Sequence, residues 1–264
     1  MTGPARPLSQ QHAVVTGGGT GIGAASALAL ARLGARVTLM GRREELLTSQ
    51  AQAIGHAIAG AAVATHAFDV TDATKVTAAF AEAQRDAPIT ILVNNAGAAE
   101  SAPFEKTGID LLERMLAVNL KAAFLCTQAV LPAMIAAKYG RIINIASTAG
   151  LTGYAYVTAY VAAKHALVGL TRALALETAK RGVTVNAVCP GFTDTDLVAR
   201  SVETIVAKTG RNAEAARAEL AKTNPMGRLV TPEEVASAVA FLALPSTSAV
   251  TGQAMVIAGG EVMA

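Results

Sequence analysis

The chain has 264 residues, of which 52% are hydrophobic and only 4% aromatic, a length and composition that suit one domain with a large core. The net charge is +3 and no block of like charges occurs, which argues against a nucleic-acid or membrane-surface role. The N-terminal residues show no apolar signal-peptide core, and the two cysteines, Cys126 and Cys189, lack the CxxC spacing of metal or redox sites. We therefore expect a cytoplasmic protein without a membrane span or a bound metal.

Apolar runs of strand length alternate with helical patterns along most of the chain. Strands are predicted at about 12–16, 36–40, 62–67, 89–93, 140–146, 183–188 and 254–258. Helices are predicted near 21–33, 43–58, 72–86, 108–138, 158–180 and 232–243. This alternation indicates a single α/β domain over residues 1–264, with a doubly wound parallel sheet of about seven strands and helices on both faces.

A glycine-rich turn joins the first predicted strand to the first predicted helix. It runs from Thr16 to Gly23 with the sequence TGGGTGIG. This strand–turn–helix order is typical of dinucleotide binding, because the helix N-terminus offers free N–H groups to a pyrophosphate. We assign the tight turn to Gly17, close approach of the backbone to the phosphates to Gly21, and close helix–strand packing to Gly23. A glycine loop without a ligand is the alternative.

Polar and turn residues follow several of the predicted strands, at the edge where ligands of parallel sheets bind. They are Asp69, Asn94, Ser147, Pro190 and Gly191. Beyond them, residues 192–230 contain two short helical patterns, near 195–208 and 212–222, and no convincing strand. We interpret residues 192–230, called here the substrate-loop segment, as a functional loop or lid. A structural excursion or an oligomer contact is the alternative.

Tyr160 and Lys164 are four residues apart, which places them on the same face of a helix. A phenol has a pKa near ~10, too high for a base at neutral pH, but a neighbouring ammonium favours the phenolate. The pair would then serve as a general acid or base, and Ser147 could hold the substrate oxygen against the phenol. By itself the spacing also fits a tyrosine on a surface helix, so the inference depends on the glycine-rich turn as well.

In order along the chain, these motifs resemble the short-chain dehydrogenase/reductase family, from about His12 to the C-terminus. The resemblance is closest to β-ketoacyl reductases and 3-hydroxybutyrate dehydrogenases. It implies a Rossmann-type fold, a nicotinamide cofactor, and hydride transfer between that cofactor and a carbonyl or secondary alcohol. Family members are commonly homotetramers, which is the assembly we expect. A dinucleotide-binding regulator without turnover is a remote alternative, because such proteins typically lose the tyrosine or the lysine.

The resemblance also implies the roles of individual residues. The catalytic residues would be Asn119, Ser147, Tyr160 and Lys164. Tyr160 would exchange a proton with the substrate oxygen and Ser147 would orient that oxygen. Lys164 would lower the pKa of Tyr160 and hold the nicotinamide ribose, and Asn119 would support a proton-relay water at a helix kink. The cofactor would contact Gly17, Gly19, Thr20, Gly21, Ile22, Gly23, Arg42, Asp69, Val70, Asn95, Ala96, Gly97, Tyr160, Lys164, Pro190, Gly191 and Thr193, with Asp69 at the adenine.

The choice between the two nicotinamide cofactors depends on the residues after the second strand. An acid there binds the ribose 2′-hydroxyl of NAD, whereas Arg42 is placed to form a charge-assisted fork with the 2′-phosphate of NADP. Because no acid occurs before Glu44, we favour NADP(H). NAD(H) remains possible, since many NADP-dependent members carry a basic residue within the glycine turn and this chain has none there. A solvated role for Arg42 is the alternative.

The predicted substrate pocket is mostly apolar. Its wall comprises Ala99, Ala149, Leu151, Tyr154, Val157, Phe192 and Leu197, and the substrate contacts we select are Ser147, Ala149, Tyr154, Val157, Phe192 and Leu197. The related 3-hydroxybutyrate dehydrogenases grip a carboxylate with polar and basic side chains, whereas this chain has Ala99, Ala149 and Val157 at the matching positions. A buried carboxylate without partners is costly. We therefore expect a 3-oxoacyl thioester or similarly apolar ketone, with a general secondary-alcohol dehydrogenase for cyclic or aryl ketones as the alternative.

Overall fold

The computed structural model describes residues 6–263, and its centre is a seven-stranded parallel sheet. The strands are β1 His12–Thr16, β2 Arg36–Gly41, β3 Val63–Ala67, β4 Ile91–Asn94, β5 Gly140–Ile145, β6 Val183–Pro190 and β7 Ala254–Ile257. Their order across the sheet is β3-β2-β1-β4-β5-β6-β7. The direction of winding reverses between β1 and β4, so the crevice where such sheets bind ligands opens at the carboxyl ends of those two strands. The predicted doubly wound, Rossmann-type sheet is confirmed.

Helices cover both faces of the sheet. They are α1 Gly21–Arg32, α2 Glu44–Ala57, α3 Ala73–Asp86, α4 Ile109–Leu116, α5 Ala122–Ala137, α6 Thr158–Thr178, α7 Asp196–Thr209, α8 Ala213–Ala221 and α9 Pro232–Ala243. Neighbouring residues of β1 show the alternation of a strand buried on both sides. Val15 packs in the cluster that contains α1 and α9, whereas Val14 packs in the cluster that contains α3 and α5.

The structure departs from the predicted elements in two places. The helix predicted over 108–138 is interrupted by a π-helical turn at Ala117–Lys121. The sixth strand continues to Pro190, so Cys189 lies within it rather than after it, because all eight residues of β6 are buried and the strand pairs with β7 to its end. The third strand ends at Ala67, as the predicted bounds have it, and Asp69 lies in the loop beyond it.

The substrate-loop segment forms a small unit of its own above the carboxyl edge of the sheet. Residues of α7 and α8 share an apolar cluster with Leu229 and Phe192. A bridge between Thr193 and Val230 closes the base of the segment. Arg217 pairs with Asp194, and Arg228 pairs with Glu234 of α9 at 2.6 Å. The segment is therefore anchored mainly at its two ends.

The continuous helix Ile109–Ala137 is long and apolar enough to cross a membrane by length and composition alone. Its second half nevertheless packs on the sheet, where Cys126, Val130 and Met134 are fully buried in the cluster that also contains β4 and β5. The same length and composition occur in core helices of soluble proteins. The buried side of α5 is therefore part of the core of this domain.

Candidate active site

The glycine-rich turn is held in shape by Asn95, which follows the neighbouring strand β4. Asn95 Nδ2 donates to the carbonyl oxygens of Thr16 and Gly17, at 3.0 and 3.1 Å. Thr16 Oγ1 in return accepts the backbone N–H groups of Asn95 and Ala96, at 3.0 and 3.1 Å. Gly17 has a φ of +63°, which L side chains rarely adopt, and an added Cβ would lie 2.9 Å from Asn95 Nδ2. The turn and Asn95 thus form one rigid floor at the winding reversal.

The start of α1 fits the pyrophosphate of a dinucleotide. The Thr20 side chain makes no capping hydrogen bond to the first turn of the helix, and no acidic residue lies in that turn. The first N–H groups of α1 and the positive end of its dipole are therefore available to an anion. A Cβ at Gly23 would lie only 2.2 Å from the Gly17 carbonyl oxygen, so only glycine permits this packing. Gly19 packs on Leu46, and Ile22 packs against the core.

Arg42 and Asp69 lie near each other at the far end of the crevice. Hydrogen bonds from the backbone N–H and the hydroxyl of Thr71 hold the pKa of Asp69 below its usual range, and the charge of Arg42 adds to this effect. Val70 is buried beside Asp69. Arg42 is exposed and forms no ion pair within residues 6–263, and together with Arg43 it lines an open groove of about 580 Å³ at the start of α2. Two guanidinium groups without an ion-pair partner among the described residues thus lie together at the start of α2.

Asn119 lies in the π-helical turn and joins it to the loop after β4. Its Nδ2 donates to the carbonyl oxygens of Ala98 and Met115, at 2.9 and 3.0 Å, and its Oδ1 accepts the N–H of Ala98 at 3.3 Å. The N–H of Ala122 bonds to the carbonyl of Ala117, five residues earlier. A π-helical turn therefore lies at Asn119, where the resemblance implies a kink, and the relay water stays a prediction. A Cβ at Gly97 would lie 2.8 Å from Asn119 Oδ1.

Ser147, Tyr160 and Lys164 meet at the carboxyl ends of β5 and β6. Ser147 caps a short 3₁₀ turn, where its Oγ accepts the N–H of Ala149 at 3.1 Å, and it also hydrogen-bonds to the Tyr160 phenol. Lys164 Nζ donates to the Ile145 carbonyl at 2.8 Å and lies 5.6 Å from the centre of the Tyr160 ring. The structure therefore brings together these three predicted residues, and Asn119 lies one layer behind them.

Burial dominates the electrostatics of the catalytic centre. It raises the pKa of Tyr160, and the hydrogen bond with Ser147 opposes this shift only in part. The pKa lowering expected from Lys164 stays a prediction, and in this structure the Lys164 ammonium donates to the Ile145 carbonyl. Burial also lowers the pKa of Lys164 to about 8. At neutral pH the site thus holds a protonated phenol beside a mostly protonated lysine.

The predicted substrate residues surround this centre unevenly. Ala149 is buried behind Ser147, and Tyr154 packs edge-on against Phe192 with their ring centres 6.0 Å apart. Val157 precedes the helix of Tyr160, and Leu197 is 36% exposed on α7. Leu151 packs with the buried core between α6 and β6, which favours its core role.

Three predicted cofactor residues, Pro190, Gly191 and Thr193, lie where β6 enters the substrate-loop segment. Thr193 Oγ1 donates to the Gly191 carbonyl at 3.0 Å.

Sequence reasoning missed one residue of this region, Glu261. Its Oε1 accepts a 2.5 Å hydrogen bond from the Tyr154 hydroxyl, and burial together with that carboxylate raises the pKa of Tyr154. The only signal in the sequence is the pair Gly259-Gly260, which predicts a turn after the last strand but not its direction. Among residues 6–263, no group of three or more His, Cys, Asp or Glu side chains is arranged to hold a metal ion.

Comparisons with known proteins agree with this geometry. A family model described as short chain dehydrogenase matches residues 11–206. The chain is 40% identical over 258 residues to D-beta-hydroxybutyrate dehydrogenase of Cupriavidus necator, covering 97% of this chain and 99% of that protein. It is 40% identical over 254 residues to galactitol 2-dehydrogenase (L-tagatose-forming) of Cereibacter sphaeroides, covering 94% and 93%. A crystal structure of an actinorhodin polyketide ketoreductase variant with NADPH has a TM-score of 0.92 at 36% identity, covering 98% and 99%.

The matched residues include the glycine-rich turn, the π-helical turn of Asn119 and the Ser147–Tyr160–Lys164 centre. Relatives of this similarity, aligned over nearly their whole length, share both the fold and the type of reaction. The chain therefore belongs to the short-chain dehydrogenase/reductase family, whose members are oxidoreductases that act on alcohol or carbonyl groups with a nicotinamide cofactor.

Proposed function

We propose that this enzyme is an NADP(H)-dependent reductase of 3-oxoacyl thioesters or similarly apolar ketones, and that it also runs in the reverse direction on the secondary alcohols. The observation that carries this proposal is the Ser147–Tyr160–Lys164 centre. The predicted pocket wall of Ala149, Val157 and Phe192 beside it supports the substrate class. The centre supplies acid–base chemistry at an oxygen, and the wall offers apolar contact but no cation for a substrate carboxylate.

The residues of the site divide the chemistry of a reduction between them. Ser147 Oγ and Tyr160 Oη hold the carbonyl oxygen, and Tyr160 donates its proton to that oxygen as negative charge develops there. Since burial raises the pKa of Tyr160, the phenol remains protonated at neutral pH, as an acid must. Lys164 then faces a phenolate, which its ammonium stabilises. When bound, the nicotinamide cofactor supplies or accepts the hydride. Closure by the substrate-loop segment excludes water from the transfer.

The preference for NADP(H) is supported by charge at the start of α2. A 2′-phosphate there would meet Arg42 and Arg43, neither of which has an ion-pair partner among the described residues. Glu44 is the first acid after β2, and it lies within the helix rather than at the strand end. An arginine guanidinium can donate two parallel hydrogen bonds to a phosphate, whereas NAD offers only hydroxyls at that position.

A panel assay tests the substrate class. NADPH or NADH oxidation is followed by absorbance with acetoacetate, acetoacetyl-CoA, a longer 3-oxoacyl thioester, an aryl ketone and a cyclic ketone. We expect NADPH-dependent turnover of the thioesters and at most a trace with acetoacetate. Turnover mainly of the aryl or cyclic ketones would instead identify a general secondary-alcohol dehydrogenase and exclude the thioester proposal.

A Tyr160→Phe variant is the control for the chemistry. It removes only the phenol oxygen, so we expect turnover to fall by roughly 10²–10⁴-fold while NADPH still binds. Retention of wild-type turnover would contradict the acid–base role of Tyr160. Fluorescence titration of NADPH shows whether the variant keeps its cofactor site.

We also infer a cytoplasmic homotetramer. Two separate regions of the described chain expose large apolar side chains. Leu176 of α6 is 84% exposed and Phe124 of α5 is 46% exposed on one side of the sheet, and Phe241 of α9 is 45% exposed on the other. Two different self-complementary patches on one chain generate a tetramer with three two-fold axes.

A further inference from the structure

The C-terminal tail returns from the last strand to the substrate pocket. After β7, Gly259 and Gly260 have φ values of +60° and +94°, and the N–H of Glu261 bonds to the Ala258 carbonyl at 3.1 Å. This tight turn places Glu261 against Gly191 at the end of β6, where an added Cβ would lie 2.6 Å from Glu261 Oε2. The carboxylate therefore lies at the edge of the sheet that carries Ser147 and Tyr160.

The tail is also packed against the end of the substrate-loop segment. A Cβ at Gly259 would lie 2.1 Å from Asn224 Oδ1, and one at Gly260 would lie 3.3 Å from a Pro225 side-chain carbon. Glu261 is thus held between that segment and the strand ends beneath it. Because both glycines are needed for this close approach, the position of Glu261 is fixed by backbone packing rather than by a flexible tail.

Hydrogen bonds connect the carboxylate to the pocket wall. The Tyr154 hydroxyl donates to Glu261 Oε1 at 2.5 Å and lies 2.8 Å from Thr148 Oγ1, which is positioned to donate to it. Thr148 follows Ser147 directly, and the Tyr154 ring packs against Phe192. Two side chains, those of Tyr154 and Thr148, therefore connect Glu261 to the position next to Ser147, the residue that holds the substrate oxygen.

Hydrogen bonds satisfy only one oxygen of the Glu261 carboxylate. It is absent from the ion pairs of the described chain, and its Oε2 is buried without a hydrogen-bond partner. Glu261 is half-buried, and its buried Oε2 projects negative charge into a region of lower dielectric than water, where the effect on another charge is larger than in water.

We infer that Glu261 is a specificity-determining residue of the substrate pocket, which selects uncharged keto substrates and rejects ketones that carry a carboxylate near the carbonyl. The inference rests on the proposed function. It gives a second reason why substrates with a carboxylate are rejected, besides the lack of polar and basic side chains that would bind the carboxylate. Repulsion by a fixed charge acts against an anionic substrate even where the shape of the pocket accepts it. A neutral ester, thioester or hydroxyl group at the same position meets no such penalty.

The test compares acetoacetate with methyl acetoacetate, which differ in charge but little in shape. The wild type is expected to have a higher kcat/KM for the ester than for acetoacetate. In Glu261→Gln this ratio should fall by roughly tenfold or more, because the KM for acetoacetate becomes lower. Glutamine keeps an acceptor for Tyr154, so the variant removes the charge and retains the hydrogen bond. Glu261→Met gives a second variant without charge, and melting curves show that both are folded.

Glu233→Gln is the matched control, because Glu233 is an exposed carboxylate of α9, outside the substrate-loop segment and outside the ion pairs of the described residues. It should leave the ester-to-acid ratio at the wild-type value. An unchanged ratio in both Glu261 variants would overturn the inference. If neither compound is reduced, the proposed substrate class fails separately from this inference. The ester-to-acid ratio is then measured with the ring ketone that the panel identifies, either 4-acetylbenzoate or 3-oxocyclohexane carboxylate, and its methyl ester.

Discussion

At the scale of single residues, Arg42 is the side chain whose charge we expect to decide the cofactor. It is exposed, unpaired among residues 6–263, and close enough to Asp69 to lower the pKa of that carboxyl group. Arg42→Asp replaces a phosphate partner with a repelling charge, so we expect it to weaken NADPH binding at least roughly tenfold more than NADH binding. Fluorescence titration with both dinucleotides measures the difference.

Arg32→Asp makes the same change of charge at the opposite end of α1 and serves as the control for long-range electrostatics. It should affect NADPH and NADH binding equally and weakly. Equal losses for the two dinucleotides in the Arg42 variant would show that Arg42 does not meet the phosphate, and that the preference must be sought in the glycine-rich turn.

The predictability of single residues depended on whether their partners were near in sequence. Tyr160 and Lys164 are four residues apart, which places them on the same face of a helix. Their proximity could therefore be predicted from the sequence. Glu261 could not be predicted, because its partner Tyr154 is 107 residues away and the contact depends on the path of the tail. The direction of the pKa shift of Tyr160 was also inaccessible, since it follows from burial by residues of several elements.

At the scale of elements, the contact between β1 and α1 depends on Gly23. A Cβ there would lie 2.2 Å from the Gly17 carbonyl and 2.5 Å from Asn95 Nδ2, and the carbonyl belongs to backbone that cannot rotate away. Gly23→Ala should therefore displace the turn, with a loss of stability of about 1–3 kcal/mol and at least roughly tenfold weaker NADPH binding. Melting temperature and cofactor titration report the two effects separately.

Gly55 offers a matched control in α2, because it is also a helical glycine but has no atom within 4 Å of an added Cβ. Gly55→Ala should leave NADPH binding unchanged and raise stability by up to about 1 kcal/mol, as alanine is the better helix former. Wild-type NADPH affinity in the Gly23→Ala variant would contradict the proposed role of the turn.

Element boundaries followed closely from the hydrophobic pattern, and the exception is informative. The helix predicted over 108–138 is continuous in the structure but contains the π-helical turn at Asn119. A π turn changes the hydrogen-bond register by one residue without introducing proline, glycine or a polar run, so no compositional signal marks it. Only the resemblance to a known family indicated a kink there.

At the scale of the whole molecule, the parallel sheet collects residues that are far apart in the chain at one edge. Gly17, Asn95, Ser147, Gly191 and Glu261 all come from loops that follow different strands. The alternation of strands and helices predicted a parallel sheet, and ligand binding at its carboxyl edge follows from that topology. The contact of the tail with the substrate-loop segment did not follow, because neither carries a repeating pattern that specifies its neighbours.

Assembly is the property of the whole molecule that the exposed apolar surface predicts. Leu176→Glu places a charge on the α6 side while leaving Phe241 on the opposite side intact, so the proposed tetramer should dissociate into dimers rather than monomers. Light scattering after size exclusion gives the mass of each species. Ala53→Glu, at an exposed position of α2, adds the same charge away from both patches and should leave the tetramer intact. A Leu176→Glu protein with the wild-type mass would show that this side of the sheet is not an interface.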